Sequence, residues 1–225
     1  CGRPWVDEVF RQLDPNIILE WHISEGDWVS ENQEIFSISG NARVLLSGER
    51  CALNFLQTLS GTATTARQYA SLAPQSQIRI LDTRKTIPGL RLAQKYAIAV
   101  GGCSNHRIGL YDAFLIKENH INSSSSIKNL IYQAIKTKKL ITVEIENINQ
   151  LKEVLGLKFK RILFDNMNLN ELKRCLKLCK DKYETEYSGN ANLNNIKKIS
   201  ITGVNRISVG SITHSANSFD SSLLI

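Results

Sequence analysis

A chain of 225 residues that is 42% hydrophobic carries enough apolar side chains for a sizeable core, in one large domain or in a large domain with a small companion. No stretch approaches the run of about eighteen apolar residues that a membrane span needs, and the opening CGRPWVDEVF has neither a basic nor an apolar signal region, so a cytoplasmic protein without a membrane partner is expected. The formal net charge of +7 comes largely from lysines such as Lys136, Lys138, Lys139, Lys158, Lys173 and Lys182, scattered over helical and loop segments as a solvated face and not gathered as a nucleic-acid footprint.

In chain order, residues 5–13 read as a helix and 17–48 as several short strands. In ILEWHISEGDWVSENQEIFSISG the alternation is broken by the turn signals Glu25-Gly26-Asp27 and Glu31-Asn32, the pattern of a small antiparallel β unit. A biotinyl or lipoyl carrier would need a Lys at its hairpin tip, and no Lys precedes Lys85. From about Ser47 to Leu72 the period becomes helical, with Ala52, Phe55, Leu56 and Leu59 on one stripe continued by Ala63, Ala66 and Ala70. Gly61 and several threonines interrupt this stripe, which points to close packing there.

Apolar runs then recur at IRIL (78–81), AFLI (113–116), LITVEI (140–145), RILF (161–164), KYETEY (182–187) and RISV (206–209). Between most of them lie helical patterns: LRLAQKYAIAV, IKNLIYQAIKTK, INQLKEVLGL and LNELKRCLKLC. Strands alternating with helices predict a parallel sheet with crossover helices, and this many units favour a closed or nearly closed β/α barrel. Cys175 and Cys179 sit one turn apart on the last of these helices, and the five cysteines show no metal-ligand spacing, so they read as buried or idle thiols.

The residues just after each strand carry the chemistry. IRIL runs into Asp82, Arg84 and Lys85; AFLI into Lys117, Glu118, Asn119 and His120; LITVEI holds Glu144 and ends at Glu146; RILF runs into Asp165 and Asn166. KYETEY runs into Ser188, Gly189 and Asn190, and RISV into Gly210, Ser211 and His214. In a β/α barrel these C-terminal ends converge on one face, where active sites are built. Arg84, Lys85, Arg107 and Lys117 make a cationic floor suited to a polyanion, because Arg presents a planar fork to carboxylate or phosphate. Glu144 and Asp165 beside them suit either a Mg-type ion with hard oxygen ligands or the hydroxyls of a sugar. The Gly-containing turns 188–190 and 210–211 lie where barrels seat a phosphate on backbone N–H groups.

The ordered motifs ERCALNFLQTLSGTAT, DTRKTIPGLR, GGCSNHRIGLYDAFLIKENH, VEIEN, LFDNM, EYSGNANL and VGSITHS span essentially the whole chain and resemble those of the quinolinate phosphoribosyltransferases, also called nicotinate-nucleotide pyrophosphorylases (carboxylating). The resemblance implies conversion of quinolinate and phosphoribosyl pyrophosphate to nicotinate mononucleotide, pyrophosphate and carbon dioxide, with Mg²⁺, in NAD biosynthesis. It implies a dicarboxylate pocket of Arg84, His106, Arg107 and Lys117, with Arg50 delivered from the neighbouring subunit of a homodimer or higher even oligomer with shared active sites. Lys85, Glu144 and Asp165 match residues around phosphoribosyl pyrophosphate and its metal, and Ser188, Gly189, Gly210 and His214 match its 5′-phosphate loops. Lys85, Lys117, Glu144 and Asp165 are the catalytic group so implied, with Glu144 and Asp165 as the metal ligands.

The expected organisation is a remainder of a small N-terminal α+β domain at 1–48, an incomplete β/α barrel at 49–210, and a C-terminal segment at 211–225 returning to the small domain. The family pattern has several dozen further residues before the position of Cys1, which implies a truncated small domain: a fragment, a cleaved form or a reduced protein. Tyr187 stands where the family has a small residue in its EYSGN-type motif. The rival readings are a nicotinate-using or molybdenum-associated paralogue, which the Arg84, His106, Arg107 and Lys117 set weighs against, and a non-catalytic remnant that binds anions or a partner subunit.

Overall fold

A computed structural model describes residues 1–73, 78–117, 126–180 and 182–224. The chain divides into two compact units: unit 1 is Cys1–Arg67, Thr86–Gly102 and Ile212–Ile225, and unit 2 is Gln68–Lys85 and Cys103–Ser211. Among the described residues no helix is long and apolar enough to cross a membrane.

Unit 1 opens with helix α1, Arg3–Leu13, which has a proline in its first turn, where the missing N–H costs nothing, and buries Val6 and Phe10. Strands β1, Ile18–Trp21, and β2, Phe36–Ser39, pair antiparallel with Ile18 opposite Ser39 and Trp21 opposite Phe36, the expected small β unit. Helix α2, Ala42–Leu72, begins earlier than the sequence pattern suggests, so 42–48 is helical and not part of the strand region. Two causes are visible. The Asn41 side chain accepts a hydrogen bond from the Arg43 amide at 3.0 Å, an N-terminal cap, and Leu45 is buried in a core with Val6, Phe10, Phe36, Ala52 and Leu56. Helix α3, Arg91–Val100, adds Ala93 and Ala97 to a second cluster with Leu59 and Ala63. The fully buried Gln94 joins the three segments of this unit: its oxygen accepts from the Ile87 amide at 2.8 Å, and its amide donates to the Thr213 carbonyl at 2.8 Å and the Thr62 hydroxyl at 3.4 Å.

Unit 2 holds six parallel strands: β3 Arg79–Leu81, β4 Ala113–Ile116, β5 Leu140–Ile145, β6 Arg161–Asp165, β7 Glu184–Ser188 and β8 Arg206–Ser208. Their order is β3-β8-β7-β6-β5-β4, so strands consecutive in sequence, β3 and β4, lie at opposite ends, as in an incompletely closed β/α barrel. The outer edge of β3 is taken by Ser104, whose amide donates to the Ile80 carbonyl at 2.8 Å while its carbonyl accepts from the Asp82 amide at 3.2 Å. Helices α4 Ile127–Ile135, α5 Ile148–Val154, α6 Leu169–Cys179, α7 Ile196–Ser200 and α8 Ser211–His214 follow the strands. Side chains of Ser126, Asn147 and Asn168 cap α4, α5 and α6, which explains part of the heavy Asn usage in this half of the chain.

The sheet has one apolar and one polar face. Val143, Ile145, Ile162, Phe164 and Ile207 are fully buried on the first, and α4 packs on β4 and β5 there. The alternate positions, Thr142, Glu144, Arg161, Leu163, Asp165, Glu184, Glu186, Ser188, Arg206 and Ser208, fall on the second by the pairing register. A barrel interior is ordinarily filled by branched apolar side chains, so this charged lining is itself a feature to explain.

Gly61 lies against the Asn217 carbonyl so closely that any Cβ would overlap it, the close packing expected at this break in the α2 stripe. A Gly61→Val substitution is expected to destabilise the protein by about 1–3 kcal/mol, the scale of overpacking, and to be read as a lower Tm. Cys103, Cys175 and Cys179 are buried, and burial pushes their thiols up to about 12, 11 and 11 respectively. Under native conditions a thiol reagent is expected to modify the exposed Cys51 and spare these three until the chain is unfolded; mass spectrometry of the labelled protein checks it.

Candidate active site

The C-terminal ends of the parallel strands gather most of the residues singled out from sequence. Arg84, Lys85, His106, Arg107, Lys117, Glu144, Asp165, Ser188, Gly189 and Gly210 all belong to unit 2, whereas Arg50 and His214 belong to unit 1. Glu118, Asn119 and His120 lie outside the described residues.

Arg84 and Lys85 follow β3 on an exposed turn in which the Lys85 amide donates to the Thr83 hydroxyl at 3.1 Å. Arg107 sits in the segment that leads into β4, where its Nη1 donates to the Ala113 carbonyl at 2.8 Å. Burial pulls the Arg107 guanidinium below its ordinary value and the positive charge of Arg84 pulls it further, while Asp112, Glu144 and Glu186 oppose the shift. The loop after Arg107 is held by Asp112, which accepts from the Ile108 amide at 2.7 Å and the Gly109 amide at 3.4 Å.

Lys117, at the end of β4, reaches Glu144 of β5 at 3.2 Å. Burial raises the Glu144 carboxyl above its ordinary value; Lys117 opposes that rise, and the nearby Asp165 adds to it. Glu144 and Asp165 therefore stand on adjacent strands as two carboxylates that repel each other beside one ammonium group. Among the described residues no cluster of three or more His, Cys, Asp or Glu could hold a metal by itself. A pair of carboxylates is still the usual protein contribution to a Mg²⁺ site completed by substrate phosphates and water, so these two residues fit that ion.

The loops after β6 and β7 are built on each other. The Asn166 amide donates to the Ser188 carbonyl at 2.9 Å, and Asn166 and Asn190 both take positive φ, 51° and 52°. Gly189, at φ +98°, lies against the Asn166 side chain where a Cβ would overlap it, so this turn needs glycine for both conformation and space. Tyr187 does not disturb it, because its side chain is buried on the apolar face of β7. After β8, the Val209 amide donates to the Leu81 carbonyl at 2.9 Å and the Ser211 hydroxyl lies 3.2 Å from the Tyr69 hydroxyl, which fixes the turn at Gly210. In unit 1, the Arg50 side chain is 68% exposed, and His214 Nδ1 lies 2.6 Å from the Ser215 hydroxyl.

The sequence pattern missed the charged network on the polar face of the sheet. Glu186, fully buried on β7, lies 3.0 Å from His106 Nε2 through Oε1, accepts a hydrogen bond from the Ser208 hydroxyl, and has Arg206 Nε at 3.3 Å and Arg161 Nε at 3.7 Å from Oε2. The Arg206 contact is an ion pair without hydrogen-bond alignment. Burial by itself would raise the Glu186 carboxyl, but His106, Ser208 and Arg206 outweigh it and the net direction is downward. Glu184, one step along the strand on the same face, accepts from Arg161 Nη2 at 2.7 Å and Arg206 Nη1 at 3.2 Å. A signal for the network was present: charges at 161, 184, 186 and 206 share the inward parity of their strands, but parity becomes contact only once the register is known.

Two family models match the chain in succession: the quinolinate phosphoribosyl transferase N-terminal domain over residues 1–60, and the quinolinate phosphoribosyl transferase C-terminal domain over residues 62–224. The chain is 38% identical over 246 aligned positions to the chloroplastic nicotinate-nucleotide pyrophosphorylase (carboxylating) of Arabidopsis thaliana, covering 100% of this chain and 70% of that protein. It is 37% identical to the mitochondrial quinolinate phosphoribosyltransferase (decarboxylating) 2b of Nicotiana tabacum, with the same shares covered. Among solved structures, the nicotinate-nucleotide pyrophosphorylase from Francisella tularensis is similar with a TM-score of 0.93 and 43% identity, over 98% of this chain and 79% of that one.

The sign of the Glu144 shift gives a pH test. A carboxyl raised in the folded state binds its proton there more tightly than in the unfolded chain, so stability falls as pH rises from the ordinary carboxylate value through the raised one. Replacing Lys117 by Gln removes the opposing cation, so the Glu144 titration midpoint is expected to move further up. Carboxyl-carbon NMR titration of the two proteins measures this.

Proposed function

As the chain belongs to the quinolinate phosphoribosyltransferase family, we propose that the cationic cluster at the strand ends of unit 2 is its pocket for the quinolinate dicarboxylate. The activity is that of a nicotinate-nucleotide pyrophosphorylase (carboxylating), a phosphoribosyltransferase of NAD biosynthesis. The observation that supports the pocket assignment is that Arg107 feels both the positive charge of Arg84 and the negative charge of Glu144, with which Lys117 pairs at 3.2 Å. A dianion seated there relieves the repulsion between the cations, and the two Arg forks supply bidentate contacts to its carboxylates.

In the reaction so proposed, the pyridine nitrogen forms a bond to the anomeric carbon as the bond from that carbon to pyrophosphate breaks, through a transition state of oxocarbenium character. Glu144 and Asp165 face the positive charge that develops on the sugar, and Lys117 and Lys85 face the charge of the leaving pyrophosphate. Mg²⁺ held by Glu144 and Asp165 would neutralise phosphate charge when bound. Once the ring nitrogen is alkylated it is positive. The carbon next to it then loses carbon dioxide, the electron pair stays on the ring carbon beside the cationic nitrogen, and a proton replaces the carboxylate. No nucleophilic side chain is needed. Ser188, Gly189 and Gly210 are proposed 5′-phosphate contacts, supported by the amide-rich turns that hold them. His214, and Arg50 reaching in from a partner subunit, are proposed on the motif match, and the exposure of Arg50 is compatible with a role in trans.

Supplied with quinolinate, phosphoribosyl pyrophosphate and Mg²⁺, the chain is expected to form nicotinate mononucleotide, and with nicotinate in place of quinolinate it is expected to form none. Product from nicotinate alone would move the assignment to a sister transferase. Arg84→Ala and Lys117→Ala are each expected to lower kcat/KM for quinolinate by at least about 100-fold, the scale for losing a charge-assisted contact at the transition state. Both residues are solvent-accessible, so the circular dichroism of the variants should match the parent; near-normal turnover in both would overturn the pocket.

A further inference from the structure

We propose that His106 is a positioning residue, held by Glu186, that acts on the substrate pocket through Arg107 and does not itself donate to the dicarboxylate. The inference rests on the pocket assignment above and departs from the role that the motif match alone gives this histidine.

The geometry of the ring carries it. His106 Nδ1 accepts a hydrogen bond from the Arg107 backbone amide at 2.7 Å, and a ring nitrogen that accepts has no proton of its own. The ring proton is therefore on Nε2, which lies 3.0 Å from Glu186 Oε1. Glu186 is fully buried, accepts also from the Ser208 hydroxyl and has the guanidinium groups of Arg206 and Arg161 on its other oxygen, so it is an acceptor and cannot return a proton to the pair. The His106 amide in turn donates to Asp82 Oδ1 at 2.6 Å, and Asp82 is fully buried at the end of β3. Among the described residues, Glu186 from β7 faces the ring, with Arg206 and Arg161 behind it, while Asp82 from the β3 end holds the His106 amide.

Both ring nitrogens are engaged by the protein, and what the ring holds is the backbone of Arg107. The same residue is tied at its far end by Nη1 to the Ala113 carbonyl. Backbone and guanidinium are fixed together, next to Arg84, in the orientation that a dicarboxylate needs. A histidine in this role adds no third cation to two guanidinium groups that already repel.

The primary measurement is long-range proton–nitrogen NMR of the ring nitrogens in the ¹⁵N-labelled full chain, which has only four histidines. The His106 signals, assigned by their loss in His106→Asn, are expected to show a protonated Nε2 and a bare Nδ1, and saturating quinolinate is expected to leave that pattern intact. A protonated Nδ1, with or without quinolinate, would overturn the proposal. Kinetics give the second arm. Asn places its amide oxygen where Nδ1 stood and can still accept from the Arg107 amide. His106→Ala is therefore expected to raise the quinolinate KM about tenfold or more, as for loss of one buried hydrogen bond, and His106→Asn to recover most of that loss. The KM for phosphoribosyl pyrophosphate should change in neither. An Asn variant as weak as the Ala variant would mean that the imidazole itself contacts substrate, contrary to the proposal. A folded chain with no quinolinate turnover would instead sink the functional reading, and the ring-nitrogen pattern would still decide this one.

Discussion

A carboxylate buried in the polar face of a parallel sheet is the constraint on which the rest of unit 2 depends. Glu186 has no water to turn to, and removing the partners of such a group costs about 3–5 kcal/mol. Its partners come from β6, β8 and the segment before β4, so satisfying one charge fixes the relative placement of Arg161, Arg206, Ser208 and His106. Glu184 repeats the arrangement one step earlier on the strand with the same two arginines. An apolar interior of similar volume could stabilise the sheet as well or better. It could not hold an imidazole in a single tautomer at the strand ends.

The cationic strand ends show the opposite electrostatic design. Below, charges are matched and buried; above, the positive charge of Arg84 acts on Arg107, and Glu144 pairs with Lys117. Unit 2 therefore holds its positive charge in place in the folded state, as the proposed dicarboxylate pocket requires. Preorganisation of this kind spares reorganisation at the moment of reaction. The Glu144 carboxyl is raised chiefly by burial and further by Asp165, and Lys117 holds that rise in check.

The loops after β6 and β7 carry left-handed backbone. Positive φ at Asn166, Gly189 and Asn190 sits in turns whose amides are tied to one another, and the caps at Ser126, Asn147 and Asn168 start the helices directly after the loops. Asn suits both tasks because its short amide can accept from a nearby N–H and tolerates the left-handed region. The heavy use of Asn in this half of the chain thus serves loop geometry in part, while the strands stay Ile-, Val- and Phe-rich.

The alternation of strand and helix, the parallel sheet it demands, and the mixed charges after each strand were all legible in the sequence, because they depend on local periodicity and on which residues end an apolar run. The ordered motifs carried the family, since long ordered runs of residue types rarely recur by chance. The helical start at Ala42 was not legible, because a cap by Asn41 and burial of Leu45 against Phe10 override a stretch that reads as loop or strand. Neither was the grouping of 86–102 with 1–67 in one unit, which turns on Gln94 and the Ala93 and Ala97 contacts. Above all, the sequence placed His106 among the cations without saying which atoms it faces. Only tertiary structure brings Glu186 to its Nε2, because strand register, and not residue type, decides which side chains share a face and meet.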